Sequence, residues 1–176
     1  MNTLLTTFFL IISGSLCSQI IDDFSDGNFT SSPVWSGTQT DYIVNSSDEL
    51  QLNNSVAATS YLSLPNALSS SGNVEWRLKT RQTFSPSASN FARVYLTATS
   101  SDLTSDPDGF YLQLGESGSA DAVRLYKSIS GVAVELLSGP AGQVASSFSL
   151  GIKVLRDSIG HWELFLDDSG GTNYLS

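Results

Sequence analysis

The stretch "NVEWRLKTRQ" alternates Val74, Trp76, Leu78 and Thr80 with Glu75, Arg77, Lys79 and Arg81. A helix would smear that period of two around its whole circumference. A strand instead sends one set into a core and the other into water. Similar runs occur at "QIIDDF", "DYIVN", "ELQLN", "TSYLSLP", "NFARVYLTATS", "GFYLQLG", "AVRLYKS", "VAVELL", "FSLGIKVLRD" and "HWELFLD", separated by turn-rich pieces such as "SPSASN", "TSDPDG", "ESGSAD", "SISG" and "DSIG". Gly, Pro, Asn, Asp and Ser supply the tight-turn chemistry at these breaks. No segment carries a sustained helical period with caps. The expectation is an all-β chain, an antiparallel β-sandwich of the jelly-roll kind. No linker divides residues 20–176.

With 176 residues, 40% of them hydrophobic, the chain can bury one sizeable core. Seventeen acidic residues against eight basic ones give a formal charge of -9, which disfavours a polyanionic nucleic acid as partner. The start, "MNTLLTTFFLIISGSLCSQ", orders an apolar run, small residues and then polar chain, the layout of a secretory signal over residues 1–18 with cleavage after Ser18. A buried first strand would show turns or alternation here, and a membrane span would need about 18 or more continuous apolar residues. Leu16 directly before Cys17 is not the small residue that a lipoprotein signal places there, so release to the exterior or the cell surface is expected. Removing residues 1–18 removes the only Cys, which excludes disulfides, thiolate zinc sites and thiol catalysis together. A secreted domain without disulfides relies on its core, which favours a large sandwich.

The ending "DDSGGTNYLS" stops just after a turn signal, with Tyr174 and Leu175 opening what reads as another strand. A sandwich beginning on "IIDDF" normally pairs that strand with a late one. Residues 19–176 are therefore expected to be an incomplete domain with an open edge.

"DDFSDGNFTSSPVWSG", "DYIVNSSDELQLN", "SYLSLP", "FARVYL", "GFYLQLGE", "VRLYK" and "WELFLD" together resemble the amino-terminal concanavalin/laminin-G-like jelly roll of large secreted Bacteroidetes proteins, across residues 19–176. The resemblance implies further domains downstream in the same chain, often a lamin-tail-like domain, and a carboxy-terminal sorting signal of the type IX secretion route.

Two segments share an Arg, an apolar residue and a Tyr: "FARVYL" and "AVRLYK". Alternation sets Arg93 and Tyr95 opposite Ala92, Val94 and Leu96, and Arg124 and Tyr126 opposite Val123 and Leu125. Between them in sequence, "GFYLQLG" sets Tyr111 and Gln113 opposite Phe110, Leu112 and Leu114. If the three strands are neighbours, Arg93, Tyr95, Tyr111, Gln113, Arg124 and Tyr126 form one patch away from the core. Tyr rings stack on sugars, and Arg and Gln add planar donors, so the patch suits a polysaccharide or cell-surface glycan. The alternative is a cation–π ladder that only packs the outer face of the sheet.

"DDFSDGN" offers the hard oxygens of Asp22, Asp23, Asp26 and Asn28 to a structural calcium, although the spacing is not that of an EF-hand loop. The alternative is that these acids cap a turn; Asp106 and Asp108 in "SDPDG" read likewise as turn residues. No other cofactor is implied. Glycosidases on concanavalin-like folds need two carboxylates about 5–5.5 Å apart for retention. Glu163 and Asp167 share a strand face but stand about 13 Å apart by strand rise. Glu75 has no acidic neighbour on its strand face, and His161, beside Trp162, has no relay partner nearby in sequence. The expected function is a non-catalytic binding or spacing module. The alternative is a concanavalin-fold glycoside hydrolase or lyase whose acids the pattern does not reveal.

Overall fold

In chain order the strands are β1 (Ser36–Gly37), β2 (Tyr42–Val44), β3 (Leu50–Leu52), β4 (Leu62–Ser63), β5 (Val74–Gln82), β6 (Ala92–Ala98), β7 (Gly109–Leu114), β8 (Val123–Ile129), β9 (Val132–Ser138), β10 (Phe148–Arg156) and β11 (Trp162–Asp167). The computed structural model describes residues 19–66 and 72–174; the expected signal segment, residues 1–18, lies outside them. Helix among the described residues amounts to two short 3-10 turns, Gln39–Asp41 and Leu103–Ser105. No described helix is long and apolar enough to cross a membrane.

All strand pairings are antiparallel. One sheet has the order β11-β10-β5 and a second runs β6-β7-β8-β9; β1-β4 and β2-β3 form short ribbons. The chain leaves β5, builds the four-stranded meander, then returns to lay β10 between β5 and β11. The alternation read in "NVEWRLKTRQ" is realised residue by residue, since Val74, Trp76, Leu78, Thr80 and Gln82 are half-buried and the residues between them exposed. Leu96, Leu112, Leu114, Val123 and Leu125 of the meander meet Leu150, Ile152, Val154 and Leu166 of the three-stranded sheet, forming the core of a β-sandwich. Each such side chain, fully buried, is worth about 1.5–3 kcal/mol relative to exposure. Trp76, Trp162 and Phe110 extend the core toward one end, with Trp162 lying 5.6 Å from Trp76 and 4.6 Å from Phe110 between ring centres.

Turn chemistry sets the register of the meander. Between β8 and β9, Ser130 (φ 51°) and Gly131 (φ 77°) both adopt positive φ, which a two-residue hairpin turn requires. The Asp108 carboxylate accepts the Ser130 N–H at 2.6 Å and ties that turn to the start of β7. The β2–β3 loop is organised by the Asn45 side chain, whose Oδ1 accepts from the Ser47 and Glu49 N–H groups.

"QIIDDF" was expected to be the first strand, yet residues 19–24 form no strand. The Asp22 and Asp23 carboxylates accept the N–H groups of Phe24 and Ser25, and Phe24 turns to φ 56°. These local bonds take the backbone groups that a ladder would use. "VAVELL" is a strand, but it lies at the sheet edge with Val132, Val134 and Leu136 exposed.

After β11 the chain folds back over the outer face of its sheet. Asp167 holds this return, accepting from Ser169 N and Oγ and from Asn173 N. Those hydrogen bonds, led by the Ser169 hydroxyl, keep its carboxyl below the usual aspartate range. Gly151 in β10 is required by this crossing, because a Cβ there would collide with the Gly171 carbonyl. Gly151→Ala should therefore cost about 1–3 kcal/mol in urea unfolding through forced displacement of the 169–174 segment. A stability equal to the parent would show that this segment does not rest on β10.

Candidate functional site

Hydrogen-bonded register brings the six residues of the repeated Arg-Tyr pattern together. On neighbouring strands Arg93 pairs with Gln113 and Gln113 with Arg124; one step along, Tyr95 pairs with Tyr111 and Tyr111 with Tyr126. The patch consists of a row of rings beside a row of polar groups, on the face opposite Leu112, Leu114, Val123 and Leu125. Two irregularities frame it. Beyond Tyr95 the β6 register slips by one residue, which leaves Leu96 unpaired, its side chain in the core, and pairs Thr97 with Phe110. Between β8 and β9 the regular hairpin register pairs Glu135 with Tyr126, the slip between Leu125 and Tyr126 leaves Leu136 unpaired in β9, and the Glu135 carboxylate reaches Arg124.

The Tyr95 and Tyr111 ring centres lie 5.1 Å apart at 42°, and those of Tyr111 and Tyr126 lie 5.4 Å apart at 23°. Such tilted and offset contacts contribute about 0.5–1.5 kcal/mol each beyond area burial. The Arg93 guanidinium caps the middle ring, 4.8 Å from the Tyr111 centre and 5.2 Å from that of Phe91. It also donates to Gln113 Oε1 at 3.2 Å and to the Asp106 carboxylate at 2.5 Å. Arg124 donates to Glu116 Oε1 through Nε at 3.0 Å and Nη2 at 2.8 Å, and to Glu135 through Nη1 at 2.7 Å. The hydrogen bonds to Glu116 and Glu135 hold the Arg124 charge above the ordinary arginine range. Burial pushes the Tyr95 and Tyr126 phenols above their usual value.

Tyr111 departs from the solvent-facing position that alternation assigns it, since only 3% of it is exposed. Arg93 covers it and the two flanking tyrosines close its sides. Asp106, Glu116 and Glu135, which engage the two arginines, were not read as part of the patch. For Glu135 the signal was present: the Ser130-Gly131 hairpin pairs its strand with "AVRLYK" and places it two or three residues from alignment with Arg124. Asp106 and Glu116 lie in loops whose approach no local pattern specifies.

The other candidates lie elsewhere. Asp22 accepts from Phe24 N and Trp35 Nε1, Asp23 from Ser25 N and Oγ, and Asp26 from Asn28 N and Nδ2. Asp23 and Asp26 thus serve their own turns and Asp22 also anchors the Trp35 indole, and no three His, Cys, Asp or Glu side chains converge as a metal site among the described residues. His161 is exposed in the β10–β11 turn, where its N–H donates to Asp157 Oδ1. Glu163 is exposed, whereas Asp167 is engaged by the return segment. A surface cavity of about 330 Å³ is lined by Thr97, Asp108, Phe110, Lys127 and neighbours, and another of about 350 Å³ by Arg81, Gln82, Phe148 and neighbours. Neither gathers the two carboxylates of glycoside hydrolysis.

Comparison of the chain with protein-family models, with curated proteins and with solved structures finds no match.

Removal of the central ring should be costly. Tyr111→Ala should lose about 3–5 kcal/mol in chemical denaturation, as expected for a buried aromatic, and Tyr95→Ala distinctly less. A double-mutant cycle between Tyr95 and Tyr111 should return about 0.5–1.5 kcal/mol of coupling. Additive losses would show that the rings do not act as a ladder.

Proposed function

We propose that the chain is a non-catalytic β-sandwich module of the concanavalin-like jelly-roll type, exported by its amino-terminal signal and acting as a structural unit within a larger secreted or cell-surface protein. The observation that carries this reading is the internal engagement of the Arg-Tyr face. Arg93 is committed to Asp106, Gln113 and the rings beneath it, and Arg124 is committed to Glu116 and Glu135. A ligand seeking their planar donors would have to displace carboxylates that already occupy them. The return from β5 through a four-stranded meander to β10 supports the sandwich part of the reading. The jelly-roll type and the place in a multidomain protein rest on the sequence resemblance.

A second reading, glycan docking, draws on one feature: Tyr95 and Tyr126 remain half-exposed at the two ends of a continuous three-ring row. Aromatic rows of this kind can seat sugar rings.

A polysaccharide array separates the two. The structural reading expects no retention of the parent protein. Retention that Tyr126→Ala abolishes, while leaving the melting temperature of the protein unchanged, would overturn it in favour of a glycan-binding face.

A further inference from the structure

The two main sheets end in the edge strands β6 and β9 on one and β5 and β11 on the other. Three of these carry charge that is typical of a guarded edge: Arg93 on β6, Arg77, Lys79 and Arg81 on β5, and Glu163 and Asp167 on β11. Such charges keep an unpaired edge from adding another chain. β9 reads "VAVELLS", with no proline and a single charged residue, Glu135. The Glu135 carboxylate accepts from Arg124 at 2.7 Å, so its charge is already balanced within the chain. On the same strand Val132 is 63% exposed, Val134 55% and Leu136 36%.

The hairpin determines which main-chain groups of β9 stay free. Ile129 and Val132 close the two-residue Ser130-Gly131 turn, and such a closing pair exchanges both of its hydrogen bonds. Along the ladder Val134 bonds to Lys127 in the same way, whereas Ala133 and Glu135 direct their N–H and C=O groups away from β8. No described strand pairs with β9 on that side. The register slip at Leu136 ends the regular edge one residue beyond Glu135.

We propose that β9 pairs antiparallel with β9 of a second copy of this chain, about a two-fold axis at Val134, and so joins two four-stranded sheets into one. The sequence of the strand matches itself in that arrangement. With Val134 opposite Val134, apolar Val132 meets apolar Leu136, and small Ala133 meets long Glu135. The outward N–H and C=O groups of Ala133 in one copy face those of Glu135 in the other, which completes main-chain hydrogen bonds on both sides of the axis. No like charges stand opposite each other in this register. An isologous contact must be self-complementary, and this symmetry about Val134 favours a second copy over an unrelated strand. The contact is small beside the about 1,600 Å² of a standard interface, so the dimer should dissociate in the micromolar range.

Sedimentation equilibrium of the protein between about 1 and 500 μM should show a monomer–dimer equilibrium. Val134→Lys sets two ammonium groups face to face at the axis and should weaken association at least about tenfold. Ile159→Lys, at an exposed position in the β10–β11 turn, should leave association unchanged. Register is read by cross-linking in a Cys17→Ser background, which has no other thiol. Val134→Cys should give a covalent dimer on oxidation with diamide, because Cβ atoms directly opposite on paired strands lie about 4.5–5.5 Å apart. Ala133→Cys should not, since its two copies would be offset by two residues and stand more than about 7 Å apart. A parent that is monomeric throughout the range, association that Val134→Lys leaves unchanged, or equal cross-linking of the two Cys variants would overturn the proposal. Association that continues past the dimer would overturn it too, because a two-fold pairing closes at two copies.

Discussion

The contact of β10 with the inner faces of β7 and β8 carries the structure. Leu150, Ile152 and Val154 lie on a strand bonded on both sides, to β5 and to β11, and they press on Leu112, Leu114, Val123 and Leu125. All seven are 2% exposed or less. Because β10 is separated from β5 in sequence by the entire meander, this contact closes the largest loop among the main strand pairings. The meander's hairpins can form locally, but without β10 they would expose a continuous apolar face.

The outer face inherits its order from that inner one. Alternation leaves no freedom: once Leu112 and Leu114 point inward, Tyr111 and Gln113 must point outward, and the same holds for Arg124 and Tyr126 once Val123 and Leu125 are seated. Core registration thus places the three tyrosines side by side, and the acids Asp106, Glu116 and Glu135 then converge on the two arginines above and beside them. An acidic chain with few basic groups commits two arginines here to internal contacts. The face is consequently more a second, polar seam than an open platform.

Much of this was legible in the residues. The period of two in "NVEWRLKTRQ" and the Ser-Gly turn after "AVRLYKS" specify a strand and a hairpin by local chemistry alone, and the juxtaposition of Arg93, Tyr95, Tyr111, Gln113, Arg124 and Tyr126 followed from taking three successive strands as neighbours. Other features depend on competition or distance. "QIIDDF" has strand-like hydrophobicity, yet its aspartates capture their own backbone and win over pairing. Burial of Tyr111 on an outward face requires Arg93 to fold over it, which no pattern within one strand encodes.

Native-state hydrogen exchange of the backbone amides tests the dependence on β10 most directly. The account predicts that ladder amides of β10, β7 and β8 are the most protected and exchange together, only through global unfolding, while the β1-β4 ribbon and edge strand β9 open at lower free energy. Exchange of the β6–β9 meander at a free energy well separated from that of β10 would show two independent units and contradict a single core closed by that strand.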